Sequence, residues 1–135
     1  MLPYAKHLVP GAGSFEIAAY SMLKKEMESL KGRAKLGALA YANALLVIPK
    51  TLAINSGYDA QETIVKLVEE REANPEIPVG IDLDSGEPAQ PVGIWDNVIV
   101  KKNSLASSCV IACNLLLVDE VMRAGMTNLK TNQQE

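Results

Sequence analysis

The residues with the most chemical promise run Leu8-Val9-Pro10-Gly11-Ala12-Gly13-Ser14-Phe15-Glu16. Glycines at such a turn let bare backbone come close to a ligand. The helix pattern that follows at once offers unpaired N–H groups and a positive dipole end. Together these make a seat for a phosphate group. The turn has no Lys-Ser or Lys-Thr behind it, as a P-loop requires. It also lacks the six-residue glycine spacing of a dinucleotide fingerprint. Taken alone, it is more simply the start of a helix with no ligand, and both readings stay open.

Other candidates reduce to structure. In Asp82-Leu83-Asp84-Ser85-Gly86-Glu87 the glycine is fifth, whereas an EF-hand loop places it sixth and adds a later glutamate. A plain turn is expected there. Asp119 and Glu120 are sequence neighbours, which point in different directions on a helix, so they form no acid/base dyad. Cys109 and Cys113 lie one helical turn apart, a spacing that suits a buried helix face better than a disulfide framework. The single histidine, His7, is distant in sequence from both, so zinc lacks a ligand set and no nucleophile has a nearby base. Trp95 reads as a core anchor. No self-contained catalytic machinery emerges.

The elements that must position these residues are mostly helical. A chain of 135 residues with 48% hydrophobic content suits one globular domain. The net charge of -3, with cations scattered and aromatics few, gives no reason to expect nucleic acid. Met1 to His7 carries no apolar segment behind a basic one and so is no signal peptide. The uncharged stretches Leu36–Pro49 and Asn103–Val118 fall short of the roughly 20 apolar residues that span a bilayer. A soluble cytoplasmic chain without a membrane partner is expected.

From Ser14 the apolar positions Phe15, Ala18, Ala19, Met22, Leu23, Met27 and Leu30 keep helical spacing. Lys31-Gly32-Arg33 breaks the pattern. Ala34 to Ile48 is apolar almost all round, the mark of a helix buried on most sides. Pro49 must end or kink it, and Asn55-Ser56-Gly57 stops the short continuation. Asp59 and Glu62 resemble a capping box for a third helix, with Ile64, Leu67 and Val68 inside and Glu69–Glu72 as a solvated end. Val79–Leu83 and Val92–Trp95 are extended runs, expected as a small β-hairpin or paired loops. A last apolar helix runs from about Val98 to Val118, after which Asp119–Arg123 either extends it or forms a short strand. The fold class is mainly α: a bundle of four or so helices with a small β-hairpin insert.

Several of these motifs fit one family. Val9-Pro10-Gly11-Ala12-Gly13 before an acidic helix resembles the glycine turn of group II chaperonins. Lys31-Gly32-Arg33-Ala34, the run from Ala44 to Ala53, and Asn55-Ser56-Gly57-Tyr58-Asp59 are similar to that family's equatorial helices. Val79–Leu83, Gly86-Glu87-Pro88, Gly93–Asn97 and Leu117–Met126 continue the likeness in one register, from about Leu8 to Lys130. The pattern resembles the eukaryotic cytosolic branch most.

The resemblance implies the C-terminal half of an equatorial ATP-binding domain over residues 9–126, with residues 1–8 an N-terminal extension and 127–135 a disordered tail. By the same resemblance Gly11, Ala12 and Gly13 line a nucleotide site. Asp82 and Leu83 meet the adenine, Ile94 packs near the base, and Asp96 takes the ribose hydroxyls. A carboxylate suits that last task, because it accepts hydrogen bonds strongly. ATP or ADP with magnesium is the implied cofactor. Other chaperonin subunits in a hetero-oligomeric double ring are implied as partners, as are unfolded clients such as actin and tubulin, gripped through an apical domain.

The family's Gly-Asp-Gly-Thr-Thr phosphate loop and the aspartates that hold magnesium and position water occur nowhere in this sequence. Phosphoryl transfer depends on that positioning and charge stabilisation, so no ATPase activity is expected of the chain alone. The apolar helices would normally be covered by the domain's other half, so self-association is expected of the isolated chain. A freestanding helical binding or scaffold module that uses no nucleotide is the alternative.

Overall fold

Three helix boundaries have a clear local cause. A computed structural model describes residues 7–122 of the chain. The elements are β1 (Leu8–Pro10), α1 (Ser14–Glu26), α2 (Arg33–Leu45), α3 (Val47–Asn55), α4 (Ala60–Ala73), β2 (Gly80–Ile81), β3 (Pro88–Ala89), β4 (Trp95–Asn97) and α5 (Val98–Leu116). Counting the broken pair α2–α3 as one helix leaves four among the described residues, as expected. The chain divides into two units, one ending at Val100 and the other beginning at Lys101. Each is described by itself.

In the first unit Pro49 breaks the apolar helix upstream of itself. Its ring cannot follow the carbonyl four residues back without a clash, and the helix is interrupted at Leu46. The α3 terminus is a Schellman motif. Tyr58 N–H donates to the Ala53 carbonyl and Gly57 N–H to that of Ile54, both at 3.0 Å, with Gly57 at φ +86°. At the start of α4, Asp59 accepts from the Gln61 and Glu62 amides at 2.9 and 2.8 Å. Glu62 pairs with Lys66 at 2.9 Å.

These helices enclose a core of Ile17, Leu46, Ala53, Ile64, Leu67, Val79 and Ile81, with Tyr20, Leu52 and Tyr58 packed against it. Arg33–Asn55 taken as one helix is long and apolar enough to cross a membrane by length and composition. Within this fold Ala42, Leu46, Pro49 and Ala53 are its buried face.

In this unit four expectations are corrected. The two extended runs do not pair with each other. β2 pairs with β3 in a short hairpin, while β4 pairs antiparallel with β1, Val9 opposite Asp96. The inner face of α1 is wider than the expected stripe at its start and narrower in its middle: Ser14, Glu16 and Ile17 are buried along with Met27, while Met22 is exposed. Ala34–Ile48 is largely exposed rather than buried, with Leu36 and Val47 more than half accessible. Trp95 is 57% exposed, because β4 belongs to a two-stranded ribbon rather than to the core.

The second unit comprises the body of α5 and the residues after it. No residue of α5 is buried, and Cys109 and Cys113, expected on a buried face, are both exposed and free. The helix ends at Leu116, so Asp119–Met122 neither extends it nor forms a strand. Residues 1–6 and 123–135, including the expected tail, lie outside the described part.

Candidate functional site

The glycine turn joins β1 to α1 and is held from two sides. On one side, the Gly11 amide donates to the Ile94 carbonyl at 3.0 Å. A Cβ on Gly11 would lie 2.8 Å from Ile94 Cγ2 and 3.5 Å from Asp96 Oδ2, so no side chain fits there without displacing Ile94. The β1–β4 ladder creates this contact, because pairing Val9 with Asp96 carries residue 94 past the start of the turn. On the other side, Ile81 N–H donates to the Ala12 carbonyl at 3.0 Å.

Within the turn the backbone is left-handed at two successive residues, Ala12 at φ +54° and Gly13 at φ +75°. Such a conformation is uncommon for alanine. Ser14 N–H returns to the Gly11 carbonyl at 3.0 Å and closes the turn. Gly13 is the N-cap of α1, and no side chain caps that helix. A Cβ on Gly13 would lie 3.0 Å from Pro49 Cβ, which seats the helix start against α3. This end of α1 therefore brings main-chain donors and a positive dipole end to the turn, with the Asp96 carboxylate beside it.

The seven residues expected at a site divide accordingly. Gly11, Ile94 and Asp96 are brought together directly. Ala12 is tied to β2, whose next residues are Asp82 and Leu83. Leu83 and Ile94 are about half exposed, at 47% and 51%, so both present apolar surface to solvent.

Asp82 has a local duty. Its carboxylate accepts from Ser85 Oγ at 2.7 Å and from the Asp84 amide at 3.2 Å. The Ser85 hydroxyl, and after it the Asp84 amide, hold the Asp82 carboxyl below the usual carboxylate range. Gly86 N–H closes the loop on the Asp82 carbonyl at 2.8 Å. The loop is a plain turn, as its spacing suggests. Tyr58 lies over Gly86 and donates its hydroxyl to the Asp84 carbonyl, anchoring the hairpin to the helical core.

Two residues at this place carry no chemical side chain and no expected role. Gly80 and Ile81 make the contact to Ala12. A glycine inside a strand signal, as in Val79-Gly80-Ile81, is the sequence mark of a close backbone approach.

A family model described as the TCP-1/cpn60 chaperonin family matches residues 4–126. T-complex protein 1 subunit zeta-2 of Homo sapiens is 54% identical over 125 residues, 91% of this chain and 23% of the relative. The Mus musculus protein of that name is 52% identical over the same shares. Among solved structures, an open-state monomer of a group II chaperonin from Methanococcoides burtonii aligns at TM-score 0.76 and 26% identity. That alignment covers 82% of this chain and 28% of the other. The chain thus spans about a quarter of the length of the relatives it matches.

Proposed function

This chain belongs to the TCP-1/cpn60 chaperonin family, and on that premise we propose that it supplies one wall of the nucleotide site of an ATP-driven protein-folding machine. In this reading Gly11, Ala12 and Gly13 face the phosphates, where the bare backbone and the α1 dipole favour negative charge. Asp96 accepts the ribose hydroxyls, and Leu83 and Ile94 lie against the base. The Asp82 carboxylate, held by Ser85, shapes the loop that presents Leu83. Magnesium would be held by residues outside this chain. The folding partners are other chaperonin subunits in a hetero-oligomeric ring in the cytoplasm, and clients such as actin and tubulin bind elsewhere in the full subunit.

The observation that carries this reading is the meeting of Gly11, Ile94 and Asp96 across the β1–β4 ribbon. Gly11 is far in sequence from Ile94 and Asp96, and the three residue types suit phosphate, base and ribose in turn. Titration of the chain with MgADP, followed by amide resonances, tests it. Shifts at Gly11–Ser14 are expected with a Kd on the order of millimolar, since one wall supplies few contacts. Asp96→Ala should weaken binding about tenfold, the worth of one hydrogen bond to a charged group. Unmoved turn resonances, or equal binding by Asp96→Ala, would overturn the reading. ATP turnover above a no-protein control is not expected.

The exposed faces of α2 and α5 favour a second reading, a helical binding module that needs no nucleotide. Nucleotide-independent behaviour in the same titration is its signature.

A further inference from the structure

Gly80 faces no ligand in the nucleotide reading, yet the β2–β3 hairpin meets the glycine turn there. One edge of β2 is occupied by β3, with Gly80 opposite Ala89. Toward the turn, a Cβ on Gly80 would lie 2.8 Å from the Ala12 carbonyl oxygen and 3.1 Å from Ala12 Cβ. The obstacle is main chain, so no rotamer change relieves it. Ile81, the next residue, donates its N–H to that same carbonyl at 3.0 Å. Ile81 is itself buried in the core at 3% exposure, so the donor is held rigidly.

A trans peptide sets its C=O and the following N–H in opposite directions. Holding the Ala12 carbonyl toward β2 therefore aims the Gly13 amide away from β2. The hold also explains how Ala12 keeps φ +54°. A non-glycine residue stays in that region only where its surroundings over-determine it.

We propose that Gly80 is a positioning residue for the nucleotide turn. Its missing side chain lets Ile81 clamp the Ala12 carbonyl, and the clamp orients the Gly13 amide toward the phosphates. The inference rests on the nucleotide reading of the turn. It adds a requirement that reading lacks: the hairpin must touch the turn for phosphate to bind well.

Gly80→Ala tests it in the intact chain, with MgADP as the probe and Gly32→Ala as the comparison. Gly32 is the N-cap of α2 at φ +65°, and a Cβ there would meet nothing within 4 Å. Substitution strains that backbone too, but it touches neither the hairpin nor the turn. Gly80→Ala is expected to bind about tenfold more weakly, the worth of one charge-assisted hydrogen bond, and to shift the Gly13 amide resonance without nucleotide. Gly32→Ala is expected to stay within about twofold of wild type.

Equal binding by wild type and Gly80→Ala overturns the positioning role alone. An equal loss in Gly32→Ala also overturns it, because binding would then follow overall stability rather than the clamp. Failure of the wild-type chain to bind MgADP overturns the nucleotide reading and this inference together. If Gly80→Ala does not fold, exchange of the Ile81 amide in wild type decides. Linkage requires that a clamp favouring nucleotide be favoured by it. MgADP at ten times its Kd should slow that exchange about tenfold, and unchanged exchange would overturn the clamp.

Discussion

At the scale of single residues, two aspartates in the same unit have different surroundings. Asp96 stands in β4 beside Gly11, where the proposed reading gives its carboxylate the ribose hydroxyls. Asp82 commits its carboxylate to its own turn, chiefly to the Ser85 hydroxyl. Because its folded pKa is depressed, Asp82 adds stability above the ordinary carboxylate range, and that stability is lost as pH falls through the lowered value. Carboxyl-carbon titration by NMR should find Asp82 below the usual carboxylate range. Ser85→Ala should move it back toward the usual value, and an unmoved titration would show that the serine is not the cause.

At the scale of elements, α4 separates capping from packing. Asp59→Ala removes a side chain that accepts from two amides and should cost about 1 kcal/mol. Leu67 is fully buried, and Leu67→Ala should cost roughly 2–5 kcal/mol, depending on how far the cavity collapses. Chemical denaturation of both variants checks the order, and a cap loss larger than the core loss would contradict it.

The α4 signals were legible because cap and stripe are local and periodic. The Asn55-Ser56-Gly57 stop was legible for the same reason. β1 was not: three residues ending in proline carry no strand signal, and the partner that makes them a strand comes from the far end of the unit. Without β1, Val92–Trp95 had no visible partner but Val79–Leu83. The burial of Ser14, Glu16 and Ile17 was hidden too, since the contact of Gly13 with Pro49 that seats this helix start is tertiary. Asp96 has no local motif, and only family likeness singled it out. Gly80 did carry a signal, a glycine within a strand pattern.

At the scale of the whole molecule, apolar surface is the dominant fact. Leu36, Val47 and Ile48 are at least half exposed in the first unit, and Val110, Ile111 and Leu115 exceed half in the second. Patches of this kind mark interaction surfaces or aggregation. Light scattering at micromolar concentration should therefore give a mass above the 14.5 kDa of one chain. A clean monomer would show that these faces do not drive association.

The pairing of Leu8 with Asn97 also sets an order of events in time. Closing a loop of roughly ninety residues costs about 4 kcal/mol of chain entropy before the ribbon returns anything. The helices of the intervening core close much shorter loops, and they can form first. Trp95, the single tryptophan, sits in β4 and so reports on ribbon closure. On refolding, helical ellipticity should recover before Trp95 fluorescence, which makes the turn and its carboxylate among the last parts of this chain to come together.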